Sequence, residues 1–297
     1  MSRPLLHVMG CGRAGRTLAR LWVEAGVLEV GQVVNRGLGS ARAATAFIGQ
    51  GRAVEHFGDI GPADWLMLGV PDSRLYEAVD QLTGQLNKRP ALVFHLSGSE
   101  PSTLLAPLET LYASVHPVCP FSDPEYAVKH FAGCHAVGEG QRRALEMLLP
   151  CFERIGARPV EFLPTDKRRY HAATIAASNF LNVLDDLALA LAESAGLERG
   201  QALELLVSLQ RASLSNIERA GPMNALTGPI ERADEAVCRQ LRQALDGLAP
   251  AQLKLFNALA QGAVELAARK HPASSRSLSG IGRMFDDSLP YPRCEER

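Results

Sequence analysis

The stretch Gly10-Cys11-Gly12-Arg13-Ala14-Gly15 decides the fold that this sequence predicts. An apolar run from Leu5 to Met9 precedes it, and apolar residues at helical spacing follow it as far as Gly26. Between a strand and a helix, the pattern G-x-G-x-x-G predicts a loop that holds a dinucleotide pyrophosphate on backbone N–H groups. The sequence therefore predicts a dinucleotide-binding unit here, with a plain strand-turn-helix as the alternative.

The end of the next predicted strand, Val30 to Val34, indicates which dinucleotide is preferred. An NAD site usually has Asp or Glu about 20 residues after the glycines, where it binds the ribose 2′-hydroxyl. Here Asn35 and Arg36 stand at the strand end, and Ser40 follows shortly after. A guanidinium pairs with a phosphate in fork geometry, and a serine hydroxyl can bind a phosphate or cap a helix. We therefore expect NADP, with Arg36 as a solvated loop residue being the alternative.

Length and composition bound the class of protein. The chain has 297 residues, enough for two domains, and its 46% hydrophobic and 21% charged residues are typical of a soluble globular protein. A net charge of −1 gives no reason to expect a nucleic-acid or membrane partner, and no apolar run is long enough to span a bilayer. The six scattered cysteines form no C-x-x-C pair, which favours reduced thiols in a cytoplasmic protein.

Residues 1–163 alternate between strand and helix patterns. This predicts an α/β unit with a Rossmann-type, doubly wound and mostly parallel sheet. Three of its predicted strands end in Val70-Pro71-Asp72, in Ser97-Gly98 and in His116-Pro117. Because ligands of such sheets bind beyond the carboxyl ends of the strands, we expect these three strand ends to line the cofactor cleft.

Residues 164–270 lack strand patterns and predict an all-α domain. Its four helices are expected at about Lys167–Ala195, Arg199–Ala220, Ile230–Leu248 and Pro250–Ala268. So much mostly apolar helix exceeds what one small domain should leave exposed, which indicates a homodimer formed through this domain. Residues 271–297 are polar and are expected to be a tail or an arm over a neighbour.

Two histidines are candidates for proton transfer. At 100° per residue, His171, Ser178 and Asn182 fall on one line of a mainly apolar helix, with Asn179 to one side. Buried polar groups need partners, so this stripe faces a cleft or a polar network; a satisfied core histidine is the alternative. His116, beside the expected nicotinamide position, can exchange a proton near neutral pH or merely fix a loop. No spacing typical of a metal site or a serine nucleophile is present.

With these residues, the chain resembles bacterial Rossmann-like proteins with a C-terminal helical domain of unknown function, DUF2520. That family is placed near the coenzyme F420-dependent NADP oxidoreductases, pyrroline-5-carboxylate reductases and 6-phosphogluconate dehydrogenase-like enzymes. The resemblance rests on the glycine motif and on Val70-Pro71-Asp72, Leu96-Ser97-Gly98, Ser114-Val115-His116-Pro117, His171-Ala172-Ala173, Ala177-Ser178-Asn179-Phe180-Leu181 and Ala225-Leu226-Thr227-Gly228-Pro229-Ile230. The chain departs from such families in having Arg232-Ala233-Asp234 where they usually have Arg-Gly-Asp.

The resemblance implies a helical domain like that of 6-phosphogluconate dehydrogenase, and a homodimer formed through it. In hydroxyacid dehydrogenase and ketopantoate reductase relatives, a lysine at the start of this domain's first helix acts as the acid. The comparable position here looks like His171, and Asn179 is similar to their substrate-binding asparagine. The segment from Ser114 to Pro117 also looks like the His-Pro segment of prephenate dehydrogenases.

These observations together predict an NADP-dependent oxidoreductase that acts on a small carbonyl or imine compound held between the two domains. His171 is the expected acid/base group, and Ser97, His116 and Asn179 are expected to orient the substrate oxygen. Prephenate dehydrogenase-like and ketopantoate reductase-like activities are alternatives. So is a non-catalytic NADP(H)-binding sensor or scaffold, because the relatives' lysine is missing from the expected helix position.

Overall fold

The computed structural model describes residues 4–162 and 166–286, which form two compact units. The first unit is Met1–Leu181 and the second is Asn182–Arg297, so the division falls within the helix Lys167–Ser194. The predicted domain boundary at 163/164 lies among residues 163–165, outside the described part of the chain.

The first unit is built on an eight-stranded sheet. Its strands are β1 (Leu5–Met9), β2 (Glu29–Val34), β3 (Arg52–Val54), β4 (Trp65–Leu68), β5 (Leu92–His95), β6 (Leu111–Val118), β7 (His135–Gly140) and β8 (Arg158–Glu161). They are ordered β3-β2-β1-β4-β5-β6-β7-β8, and every neighbouring pair is parallel except β6 and β7. The chain order reverses between β1 and β4, which is the Rossmann-type switch point, so the predicted fold class is confirmed.

Helices cover both faces of this sheet. They are α1 (Arg13–Glu24), α2 (Leu38–Ile48), α3 (Leu75–Gln85), α4 (Pro124–His130) and α5 (Arg142–Arg154), with 3₁₀ helices at Asp72–Arg74 and Ser102–Leu108. The first half of α6 (Lys167–Ser194) also belongs to this unit. On one face, the Trp22 ring packs edge-on against Phe94 and Phe152, with ring centroids 6.2 and 5.1 Å away. On the other face, α3 and the second 3₁₀ helix bury leucines against β4.

Strand β6 is longer than its sequence predicts. The prediction that it ends before His116 is wrong, because His116 and Pro117 lie inside it. The antiparallel strand β7 pairs with this extension of β6, with Val137 opposite His116 and Ala136 opposite Pro117. The parallel pairing of β6 with β5 extends only to Ser114, so β6 projects past the end of β5 and still places His116 beyond that edge of the sheet.

The second unit consists of the rest of α6 followed by α7 (Arg199–Ala225), α8 (Glu235–Ala244), α9 (Pro250–Lys270) and α10 (Ser275–Met284). Gly221, with φ of 74°, breaks the helical course of α7 close to the predicted end at Ala220. The predicted helix from Ile230 is shorter, because Asp234 caps α8 by accepting the Val237 N–H. The expectation of a polar tail is wrong for residues 275–285, where Ile281 and Phe285 are buried against Cys238; residues 287–297 lie outside the described part.

Helix α6 is also the one described helix that is long and apolar enough to cross a membrane by length and composition. Its 28 residues include a window of mean hydropathy 1.4. The expectation that no apolar run is long enough to span a bilayer is therefore wrong for this helix. One such helix is weak evidence for a membrane protein, because helices packed inside other proteins meet the same criterion.

Candidate functional site

The glycine motif forms a tight connection between β1 and α1 at the switch point. Gly10 has φ of 81°, a left-handed conformation that favours glycine. A β-carbon at Gly10 would lie 2.5 Å from Cγ1 of Val70, and one at Gly69 would lie 2.5 Å from the Gly10 carbonyl oxygen. The loops after β1 and β4 therefore touch backbone to backbone, and Val70 lies against the glycine motif as predicted.

The N-terminus of α1 has the features that a phosphate needs. Gly12 is its cap and no side chain bonds to the N–H groups of its first turn. A β-carbon at Gly12 would have the Gly69 carbonyl oxygen as its nearest described neighbour, 3.9 Å away, so the space beside the backbone is open. Gly15 is tighter, with the Gly10 carbonyl oxygen 3.5 Å from such a β-carbon. Open N–H groups at a helix start fit a pyrophosphate.

The remaining side chains of the motif lie on different sides of the loop. Cys11 is buried, and this burial raises the pKa of its thiol to about 12. Its thiol is therefore protonated at neutral pH and is no nucleophile. Arg13 is exposed and Ala14 is half-buried.

The end of β2 brings Asn35 and Arg36 to the same loop. The Asn35 side-chain oxygen accepts the backbone N–H of Cys11 at 2.6 Å, so Asn35 ties β2 to the glycine motif. Arg36 is exposed and, within the described ranges, forms no hydrogen bond or ion pair, so its guanidinium can receive a phosphate. Ser40 lies inside α2, whose cap is Gly37, and its hydroxyl donates to the Gly37 carbonyl at 2.8 Å. The suggestion that Ser40 caps this helix is wrong.

The turn after β5 is held by the Asp72 carboxylate, which the sequence placed at a strand end without predicting its contacts. Asp72 accepts the hydroxyls of Ser97 and Ser99 at 2.7 and 2.6 Å. The Ser97 hydroxyl also accepts the backbone N–H groups of Ser99 and Glu100. The Ser97 hydroxyl donates its one proton to Asp72, so in the described structure its role is to hold this turn. Pro71 is exposed and directly precedes Asp72.

His116 and His171 meet at Gly98 within the first unit. Their ring centroids are 5.6 Å apart, and a β-carbon at Gly98 would lie 2.5 Å from Nδ1 of His171 and 2.9 Å from Cε1 of His116. Nδ1 of His116 is 3.0 Å from the hydroxyl of Tyr170, which was not predicted. The structure thus brings together the two histidines that the sequence singled out separately and adds a phenol to them.

Burial decides the protonation of this group. It lowers the pKa of His116 to about 4, with the charges of His171 and Lys167 acting in the same direction and Asp72 opposing them. Burial also raises the pKa of Tyr170 above its ordinary value. At neutral pH, therefore, His116 is a neutral imidazole hydrogen-bonded to a protonated phenol.

Two further positions on α6 differ from the sequence expectations. Lys167 begins the helix one turn before His171, and its ammonium lies 2.9 Å from the Glu139 carboxylate. A lysine does therefore stand near the helix start, bound in an ion pair. Asn179 is exposed and eight residues after His171, about 12 Å along the helix axis, so the structure does not bring it into the histidine group.

The contacts that sequence reasoning did not predict involve residues next to predicted ones. Asp72 was predicted only as part of a strand end, and Ser99 and Tyr170 lie within two residues of residues that were predicted. Their roles depend on which strand ends become neighbours, which their own spacing does not reveal. Gly98 was noted only as part of a strand end, although its missing side chain is what lets the two imidazoles approach.

Comparison with known families gives a match that includes most of the helical part of the chain. Residues 134–263 match the family described as "Domain of unknown function (DUF2520)". This part of the chain is therefore similar to that family, and the match begins one residue before β7, ahead of the first long helix. No curated protein matches the chain in sequence.

Solved structures confirm the arrangement of a Rossmann-like unit with a helical domain. A Bacteroides fragilis protein assigned as an NADP oxidoreductase has 20% identity and a TM-score of 0.73, over 88% of this chain and 98% of its own. An imine reductase from a Pseudomonas species has 17% identity and a TM-score of 0.56, over 95% and 92%. A pyrroline-5-carboxylate reductase from Coxiella burnetii has 14% identity and a TM-score of 0.57, over 95% and 99%. These likenesses show the fold.

Proposed function

We propose that this protein is an NADP-dependent oxidoreductase that acts on a small carbonyl or imine compound. The observation that carries the proposal is the meeting of His116 and His171 at Gly98, beyond the end of β5 in a Rossmann-type sheet. Ligands of such sheets bind at that edge. The similar structures of an NADP oxidoreductase, an imine reductase and a pyrroline-5-carboxylate reductase support this class of reaction.

The cofactor is held by the glycine motif and by the end of β2. The open N–H groups at the start of α1 bind the pyrophosphate, and Arg36 pairs with the 2′-phosphate. Asn35 keeps the loop in place through Cys11, and Val70 and Pro71 form the neighbouring wall. Bound NADPH supplies the hydride.

His171 supplies the proton. Its imidazole donates to the oxygen or nitrogen atom on which negative charge develops as the carbon is reduced. Hydrogen bonding with Tyr170 and contact with Gly98 hold His116 beside it, where a neutral imidazole orients the substrate heteroatom. Ser97 acts through the turn that it organises with Asp72, and Asn179 binds a part of the substrate remote from the reacting carbon.

The protein acts as a homodimer in the cytoplasm under this proposal. Large apolar side chains are exposed along α7, where Leu205, Leu209 and Leu214 are each more than half exposed. A second copy that covers these side chains removes them from water. The five cysteines in the described ranges are free thiols, which supports a reducing compartment.

The proposal is tested by following NADPH absorbance with a panel of small ketones, aldehydes and cyclic imines. Oxidation of NADPH with at least one of these compounds is expected. A protein that binds NADPH, with a raised melting temperature, but reduces no member of a broad panel is instead a sensor or scaffold. That result contradicts the proposed enzyme while leaving its cofactor site intact.

A further inference from the structure

The first turn of α6 carries a buried ion pair that the proposed chemistry does not use. Nζ of Lys167 lies 2.9 Å from Oε1 of Glu139 on β7, and the two side chains are only 9% and 7% exposed. Nζ also lies 2.6 Å from the hydroxyl of Ser114 on β6. Both carboxylate oxygens are occupied by Ser102, one by its backbone N–H and one by its hydroxyl, each at 2.7 Å.

Such a pair is a poor source of stability. Removing two charges from water costs several kcal/mol per ion, and replacing a buried pair by apolar residues is often neutral or stabilising. A buried and hydrogen-bonded pair instead selects one geometry, because a displacement leaves a charge without its partner.

The ion pair contacts, directly or through one residue, both segments that hold His116 and His171 together. Tyr170 and His171 follow Lys167 by three and four residues and therefore lie beside it on the helix surface. On the other side, the Ser114 hydroxyl donates to the Ser97 carbonyl at 3.2 Å, one residue before Gly98. The ion pair thus connects the helix turn that carries the imidazole and phenol to the turn against which they pack.

We propose that Lys167 and Glu139 are a positioning pair, which fixes His171 and Tyr170 against the Ser97-Gly98 turn and sets the charge around His116. This inference rests on the proposed function for its effect on turnover, but its effect on His116 is independent of any substrate. Lys167 does not act as the acid, because its ammonium is engaged by Glu139 and Ser114.

The electrostatic part follows from the groups that face His116. Helix α6 presents Tyr170, His171 and Lys167, and the 3₁₀ helix after β4 presents Asp72. The charges of His171 and Lys167 lower the pKa of His116, and only Asp72 raises it. Loss of the Lys167 charge therefore raises the pKa of His116.

The test uses the double variant Lys167→Met with Glu139→Gln in the full chain. It removes both charges together, and the amide oxygen introduced at position 139 can still accept the Ser102 N–H. The Cε1–H resonance of His116, assigned by its loss in His116→Asn, is followed by NMR from pH 8 down to about pH 3, a range that spans the pKa of about 4. We expect the pKa of His116 to rise, because Lys167, unlike Glu139, is among the charges that act on His116, and its charge lowers that pKa. With a substrate known, we expect kcat to fall about tenfold or more with KM changed less than about twofold.

Two controls separate positioning from general loss of stability. Asp64→Asn breaks another partly buried pair of the first unit, that of His7 with Asp64 at 3.2 Å. Asp64 precedes the start of β4, whereas Asp72 and the histidines lie toward the opposite edge of the sheet. The Asp64→Asn variant should lower the melting temperature without changing the pKa of His116 or kcat. Lys167→Arg keeps the positive charge and should leave the pKa of His116 near its wild-type value.

An unchanged His116 titration in the double variant overturns the proposal, whether or not a substrate is known. A raised pKa with unchanged kcat overturns its positioning part. If the wild-type protein turns over no substrate, the proposed function fails, and the position of the His171 ring relative to Gly98 in a crystal structure of the double variant then decides the positioning part.

Discussion

Gly98 lies so close to His171 that a β-carbon at position 98 would come within 2.5 Å of Nδ1 of the imidazole. The same β-carbon would meet Cε1 and Nε2 of His116 at 2.9 and 3.0 Å. Gly98→Ala must therefore push both rings away from the turn. We expect turnover to fall about tenfold or more and the free energy of unfolding to fall by about 1–3 kcal/mol, the usual cost of overpacking.

The matched control for this change is Gly84→Ala on α3, where an added β-carbon meets no described atom within 4 Å. It should leave turnover unchanged. Steady-state kinetics and urea unfolding of both variants provide the measurement, and wild-type turnover by Gly98→Ala would contradict the close packing of the two imidazoles in the working protein.

Cofactor preference depends on Arg36. Since the guanidinium is exposed and has no partner in the described ranges, it is available to a 2′-phosphate. We expect NADPH to bind at least about tenfold more tightly than NADH, which is about 1.4 kcal/mol. Arg36→Ala should remove most of this difference. Calorimetric titration measures it, and equal affinities of the wild-type protein for the two cofactors would refute the preference.

The proposed acid, His171, is tested through turnover. General acid catalysis contributes roughly a hundredfold to ten-thousandfold, so His171→Asn should lower kcat by that factor on a substrate that the wild-type protein reduces. NADPH affinity should stay nearly the same, because the proposed phosphate contacts lie from Gly10 to Gly15 and at Arg36, away from His171. His116→Asn is the comparison and should act more on KM. Wild-type turnover by His171→Asn would place the acid elsewhere.

Stability should fall between pH 7 and pH 5. Burial lowers the pKa of both His95 and His116 to about 4 in the folded chain, against an ordinary value of 6.5. Within that window the unfolded chain binds more protons, so the free energy of unfolding decreases as the pH falls. The full loss is about 2–3 kcal/mol per histidine by pH 4.

Urea unfolding at pH 7, 6 and 5 measures this dependence. His116→Asn removes one of the two groups and should therefore make the dependence shallower. A free energy of unfolding that stays level from pH 7 to pH 5 would show that neither histidine is held neutral.

Assembly should depend on the exposed leucines of α7. Leu209 is 60% exposed, and Leu209→Glu places a charge among apolar side chains that a second copy would cover. We expect light scattering to show a dimer for the wild-type protein and a shift toward monomer for this variant. Tyr126→Glu on α4 changes an equally exposed residue of the first unit and should leave the dimer intact. A monomeric wild-type protein at micromolar concentration would refute the assembly.

Local sequence determined the elements that depend on near neighbours along the chain. The positions of β1 and α1 around the glycine motif follow from an apolar run, three glycines and a helical repeat, and α6 was predicted to within one residue of its end at Ser194. These features are set by backbone conformation and by side-chain periodicity, which act over a few residues. His171 could also be singled out as a candidate, because a polar stripe on an apolar helix needs a partner somewhere.

Tertiary structure alone decided which of these groups meet. Strand β6 runs past its predicted end because β7, about 20 residues later, pairs with it, and no local pattern encodes that pairing. At Ala233 the backbone turns with φ of 55°, and the Asp234 N–H donates to the Pro229 carbonyl. The contacts of Gly98 with His171 and of Lys167 with Glu139 join residues far apart in sequence. The sequence thus determined the candidate groups, whereas their distances and protonation depend on burial and neighbours that exist only once the chain has folded.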